Sequence, residues 1–210
     1  KNKTLLGVYT CWEPDALDGI DEVYAESDGY DQTGRLIPYV IRDKDGKIRT
    51  TRMKDYENTD KYDNGIRKGE WYLLPRELKK ECLIDPYPHS VREEVVWITS
   101  MVVPIINDNT FYGVVGVNMR LDFIQALTER AKGELYSEAG SIRIVSHKGI
   151  LAASGDHPEY IGKHFKALKQ DRDSEETIEQ IRKGRENIRF DDKNVKVLVP
   201  IDIAKTGTPW

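Results

Sequence analysis

Val95-Val96-Trp97-Ile98-Thr99-Ser100-Met101-Val102-Val103-Pro104-Ile105-Ile106 is followed by Asn107-Asp108-Asn109 and then by Tyr112-Gly113-Val114-Val115-Gly116-Val117-Asn118-Met119. The first run is rich in β-branched residues, which fit a pleated, half-buried surface. The Asn-Asp-Asn triplet breaks it, because these side chains bond their own backbone and tolerate turn conformations. The apolar pattern then resumes. Two such runs about a short polar break predict a β-hairpin.

Outward from the hairpin the same grammar recurs. Leu36-Ile37-Pro38-Tyr39-Val40-Ile41 reads as a strand and Asp43-Lys44-Asp45-Gly46 as its turn. Ser141 to Val145 and Ile150 to Ala153 flank Ser146-His147-Lys148-Gly149 in a second strand-turn-strand. Helical spacing begins at Leu121 and predicts a helix that stops at Gly133, a suitable C-terminal cap. Short helices are predicted from Pro75 to about Cys82 and from Asp173 to Lys183, the latter with Asp173 and Glu176 at capping-box spacing. The plan of Val102-Val103-Pro104-Ile105, turn and glycine-containing return is echoed by Leu198-Val199-Pro200-Ile201 and Ala204-Lys205-Thr206-Gly207. Two copies of one strand order imply two stacked modules rather than one sheet, and hairpins with helices between them give an α+β class. The boundary is placed between Thr128 and Gly140, giving modules 1–130 and 131–210.

Composition restricts the function. A net charge of −4, with Lys and Arg interleaved among acids as in Arg76-Glu77-Leu78-Lys79-Lys80-Glu81, gives no footprint for nucleic acid. Mean hydropathy of −0.61 describes an ordinary globular surface over a modest core. No apolar run approaches the ~18 residues of a membrane span. The chain opens at Lys1 without methionine and stops at Trp210 after a turn-like stretch, so both ends read as cut. Cys11 and Cys82 form no CxxC pair; they are either one disulfide or two half-buried thiols. The sequence has no phosphate loop and no nucleophile elbow. His147, His157 and His164 are spaced too irregularly to share a helix face, and Asp15, Asp18 and Asp21 lack the order of a calcium loop and read as capping residues. No enzyme, metal or cofactor is expected.

Several stretches, in order along the chain, resemble the double Cache (tandem PAS-like) sensor family of chemoreceptors and sensor histidine kinases. They are Tyr9-Thr10-Cys11-Trp12-Glu13-Pro14-Asp15-Ala16-Leu17-Asp18-Gly19, Gly69-Glu70-Trp71-Tyr72-Leu73-Leu74-Pro75, Asp85-Pro86-Tyr87, the hairpin itself, and Ser154-Gly155-Asp156-His157-Pro158-Glu159-Tyr160-Ile161-Gly162-Lys163. The resemblance implies two stacked PAS-like modules with antiparallel sheets, a helix before Lys1 and closing strands after Trp210. It also implies a membrane-anchored parent receptor, homodimeric when complete, with this portion outside the cytoplasm. The ligand would sit in the membrane-distal module, 1–130, between the sheet and the Trp-Tyr loop, and 131–210 would be the membrane-proximal module, incomplete at its C-terminus.

By the same resemblance Trp71, Tyr72 and Tyr87 match the aromatic positions of the site, with His89, Asn118, Tyr39 and Tyr56 completing the ligand-binding set. Aromatic walls suit a small organic ligand, since indole N–H and phenol O–H donate while the rings desolvate it. Amino-acid-binding members carry an arginine where this chain has Gly69, and aspartates where it has His89 and Asn118. A buried ligand charge needs a partner, so a plain α-amino acid is not expected. A small carboxylate or neutral polar metabolite is favoured, with Arg67, Lys68 or Arg52 as a candidate cation. Glu70 or Asp85 with the aromatics would instead suit an amine. The competing reading is a protein-interaction or adhesion module with no small-molecule ligand.

Overall fold

A computed structural model describes residues 5–42, 46–91, 94–136, 140–168, 174–190 and 195–210. The chain divides into two compact units, Lys1–Ile84 with Thr99–Arg120, and Asp85–Ile98 with Leu121–Trp210.

The sheet contains six strands: β1 (Leu5–Trp12), β2 (Pro38–Arg42), β3 (Ile48–Arg52), β4 (Cys82–Val91), β5 (Glu94–Asn107) and β6 (Thr110–Arg120). Their order is β3-β2-β1-β6-β5-β4, so the sequence-distant β1 and β6 meet at the centre. The hairpin predicted from Val95 to Met119 is β5–β6. Asp108 and Asn109 make its turn with φ of 47° and 61°, the left-handed values a two-residue hairpin loop requires. The antiparallel registers put Tyr9 opposite Tyr39 and Gly116, and Gly7 opposite Ile41 and Asn118. Since side chains alternate across a strand, Gly7, Tyr9 and Cys11 share a face with Tyr39, Gly116 and Asn118. That face is buried, whereas Val8, Val103 and Val115, in β1, β5 and β6, are exposed.

Between β1 and β2 lies a short helix, α1 (Asp21–Tyr24). Asp15 and Asp21 exchange backbone-to-carboxylate hydrogen bonds of 2.7 and 3.1 Å, and Asp18 accepts from Ile20 N–H at 3.2 Å. These aspartates serve the loop backbone. The next helix, α2 (Glu70–Leu78), begins five residues before the predicted Pro75 and ends before Cys82. Gly69 carbonyl accepts from both Tyr72 and Leu73 N–H at 2.9 Å, opening the helix early. Lys79 closes it in the left-handed region with φ 51°. The Trp71-Tyr72 segment is therefore helical, not a loop.

In the second unit α3 (Asp122–Tyr136) runs through Gly133 instead of ending there. A Cβ at Gly133 would meet nothing within 4 Å, so this glycine sits on an open helix face and breaks nothing. Strands β7 (Arg143–Val145) and β8 (Leu151–Ser154) pair antiparallel about the predicted turn, with Gly149 at φ 85°. The helix α4 (Ser174–Lys183) matches its prediction, while the proposed cap at Asp173 lies outside the described residues; so do Asp43, Lys44 and Asp45 of the first predicted turn. Val145, Leu151, Phe165, Leu168 and Ile178 form one apolar cluster. Finally β9 (Asn187–Phe190) pairs with β10 (Val195–Leu198). The echo after Leu198 is reduced to one pair, Ile201 and Trp210, which exchange backbone hydrogen bonds of 2.8 and 3.1 Å.

Candidate functional site

Five of the seven predicted residues, Tyr39, Tyr56, Trp71, Tyr72 and Asn118, belong to the first unit; Tyr87 and His89 fall in the second. Within the first unit the aromatic residues form a chain of edge contacts. Tyr39 meets Tyr9 at 6.2 Å between centroids, Tyr9 meets Trp71 at 5.0 Å, Trp71 meets Tyr72 at 6.0 Å, and Tyr72 meets Tyr56 at 5.9 Å. Such T-shaped pairs set the electropositive edge of one ring against the face of another and add ~0.5–1.5 kcal/mol each beyond burial.

Two glycines make room for the rings. A Cβ on Gly7 would lie 2.4 Å from Tyr39 Cε2, and one on Gly116 would lie 2.2 Å from Tyr9 Cζ. Neither glycine has a positive φ, so it is space and not backbone freedom that they supply. The rings of Tyr39 and Tyr9 occupy these gaps over β1 and β6.

At the Tyr39 end the floor is polar. Ser100 Oγ donates to Asn118 Oδ1 at 2.6 Å, and Asn118 Nδ2 donates to Tyr39 Oη at 3.1 Å. Ser100 and Asn118 are completely buried. Burial pushes the Tyr39 hydroxyl up to about 12, although the hydrogen bond from Asn118 pulls the other way, so all three groups are uncharged at neutral pH. Buried polar groups of this kind are held by mutual hydrogen bonds, and a ligand that joins them meets an amide able both to donate and to accept.

At the Tyr56 end the groups are charged. Tyr56 Oη donates to Asp31 at 2.9 Å. Tyr72 Oη donates to Glu13, which also receives Arg76 at 2.8 Å. Burial pushes the Tyr72 hydroxyl well above its usual range, and the bond to Glu13 adds to this.

The charged groups considered for ligand binding are already engaged. Arg67 is gripped by both Glu70 and Glu77, Lys68 lies 3.8 Å from Asp60, and Arg52 donates to the Tyr30 carbonyl. Asp85 accepts from Lys148 N–H at 2.8 Å in the second unit. Burial holds His89 below its ordinary pKa, so it is neutral at pH 7. Cys11 and Cys82 are separate, buried free thiols. Among the described residues no group of His, Cys, Asp and Glu is placed to hold a metal ion.

Tyr9 and Ser100 were missed from the sequence. The signal for Tyr9 is Gly7-x-Tyr9 on β1 facing Gly116-x-Asn118 on β6, two matched gaps at strand spacing.

Comparisons with known proteins agree with this fold. Residues 1–126 match the model of the methyl-accepting chemotaxis protein-like first PDC sensor domain. Methyl-accepting chemotaxis protein TlpQ of Pseudomonas aeruginosa is 29% identical over 213 residues, covering all of this chain, and the chain spans 30% of that protein's length. Among solved structures, the extracellular domain of mmHK1S-Z3, assigned as a histidine kinase, is 24% identical with a TM-score of 0.77, over 99% of this chain and 72% of that one. The periplasmic sensory domain of the Campylobacter jejuni chemoreceptor Tlp1 is 16% identical with a TM-score of 0.65, over 98% of this chain and 70% of that one.

Proposed function

The chain belongs to the methyl-accepting chemotaxis protein-like PDC sensor domain family, and from that premise we propose that it senses a small polar metabolite bound against the buried face of its six-stranded sheet. The domain works outside the cytoplasm. The observation that carries the proposal is the buried chain Ser100–Asn118–Tyr39, whose Tyr39 ring meets Tyr9 and, through it, Trp71. Neutral donors and acceptors between aromatic walls suit a neutral polar ligand, or a small carboxylate that accepts from the amide of Asn118. The engagement of Arg67, Glu70 and Asp85 favours the neutral class over a carboxylate or an amine bound at those residues.

The sensing role needs a ligand that prefers one conformation, since only differential affinity shifts an equilibrium. In the full proposal the ligand module is 1–130, the remainder is a second, membrane-proximal module of a double Cache arrangement, and the parent is a homodimeric membrane receptor of the chemoreceptor or histidine kinase type. Tyr87 and His89 stay in the proposed ligand set. The domain binds without turning its ligand over.

The test is equilibrium dialysis against neutral polar metabolites, small carboxylates, amines and purines, with product analysis of each retained compound. Saturable binding of a neutral compound that is lost in Asn118→Ala, with the compound recovered intact, supports the reading; turnover, or neutral-compound binding indifferent to Asn118, refutes it. The exposed Val8, Val103 and Val115 favour a second reading, a protein-interaction module. It gains if no compound is retained.

A further inference from the structure

Arg35 is the most deeply placed cation described in the first unit. Its side chain is 8% exposed, its guanidinium lies 5.1 Å from the centroid of the Tyr56 ring, and its Nε is buried with no hydrogen-bond partner among the described residues. Among the described residues the only carboxylate it bonds is Glu57, and the geometry is poor. Nη1 and Nη2 both point to the single oxygen Oε1, each at 3.2 Å. A well-matched carboxylate bonds a guanidinium through two parallel N–H···O contacts, shorter than these. A buried donor left unbonded is costly, so this site is incompletely satisfied as it stands.

Glu57 can leave. Its side chain is 45% exposed, and Oε1 already lies 3.7 Å from Arg76 Nη1 on α2. Swinging outward exchanges one guanidinium for another, so the glutamate keeps a countercharge. It also lines a cleft of about 360 Å³ together with Asp31, Thr33, Arg52, Tyr56 and Asn58. Tyr56 and Glu57, which line the cleft, are both in contact with the Arg35 guanidinium.

We propose that Arg35 is the anchor of a second ligand site in this unit, one that takes a small organic carboxylate from the Tyr56–Glu57 cleft, with Glu57 as the internal carboxylate that the ligand displaces. The site is distinct from the Ser100–Asn118–Tyr39 floor, because three rings, Tyr9, Trp71 and Tyr72, stand between Tyr39 and Tyr56 in the chain of contacts. The cleft carries Arg52 and Lys54 beside Asp31 and Asp55, and its Thr33 and Asn58 suit a carboxylate that also bears hydroxyl groups. Displacement frees Glu57 to pair with Arg76, which joins ligand arrival to α2.

The test is isothermal titration calorimetry of the whole chain with acetate, succinate and L-malate, and with acetamide and succinamide as neutral counterparts. At least one carboxylate binds saturably and its amide does not. Glu57→Gln tightens that binding by about tenfold, the gain if Glu57 occupies Arg35 roughly nine-tenths of the time. Arg35→Gln abolishes it. Because Arg35→Gln alone could act by unfolding, Glu57→Gln is decisive, being a change at a half-exposed side chain. Carboxylate affinity that is unaltered or weakened in Glu57→Gln overturns the proposal, and so does the absence of carboxylate binding to both wild type and Glu57→Gln.

Discussion

Gly116 lies directly under the ring of Tyr9, so closely that a Cβ at that position would fall 2.2 Å from Cζ and 2.4 Å from the hydroxyl oxygen. The two residues are register partners across β1 and β6. The aromatic wall thus rests on a missing side chain.

Gly116→Ala forces Tyr9 off the sheet and into Trp71, whose ring is only 5.0 Å away. Overpacking of this kind costs about 1–3 kcal/mol. At ~2–4 °C per kcal/mol for a chain of this size, thermal melting falls by roughly 2–12 °C. Ligand affinity at the sheet face falls with it.

Asn118→Ala removes the acceptor of Ser100 and the donor to Tyr39 from a fully buried network. The expected loss is about 1–3 kcal/mol, read by urea unfolding with an unchanged m-value. Ser100→Ala removes only one end of the chain and costs less.

Alkaline pH destabilises the first unit. Burial raises the Cys11 thiol far above 9.0 and the Cys82 thiol to about 11, and Tyr39 is pushed up to about 12 from 10.0. Raised acids favour the protonated form when folded, so their stabilisation is complete below the unfolded thiol value and is lost as pH climbs from about 9 towards 12. The melting temperature therefore drops across this window. Replacing both cysteines by alanine moves the onset of the decline from about 9 to about 10, where the tyrosine begins to contribute, and makes the remainder shallower. In the folded protein neither thiol reacts with an alkylating reagent at pH 7.5; both react in denaturant.

Gly162→Ala tests the second unit by itself. Gly162 has φ 81°, and a Cβ there would lie 2.3 Å from the Trp97 ring. Left-handed backbone strain of ~1–2 kcal/mol adds to an overpacking cost of ~1–3 kcal/mol. This substitution is accordingly more damaging than Gly116→Ala, as thermal melts of the two variants will show.

The hairpin was legible because its signals are local: β-branched runs about Asn107-Asp108-Asn109, with the turn residues now at φ 47° and 61°. The start of α2 was not, because it depends on Gly69 being held against the carbonyls of Asp55 and Tyr56, and contacts between distant segments leave no periodicity in sequence. Gly133 misled for a related reason: a glycine on an open helix face looks identical to a cap. In the site, Trp71 and Asn118 were found through family resemblance. Tyr9 and Arg35 were not, since their surroundings arise from strand register and from Glu57, twenty-two positions away from Arg35.

In the proposed mode of sensing, a small polar metabolite is held between the aromatic wall and Asn118. The most direct measurement is thermal stability of the chain and of Asn118→Ala across a library of such metabolites. A true ligand at 100 times its Kd adds about 2.7 kcal/mol, a shift of roughly 5–10 °C at the slope for this size. At least one neutral polar compound is expected to produce this shift in the native chain and none in Asn118→Ala. An equal shift in both proteins, or no shift from any compound, would contradict it.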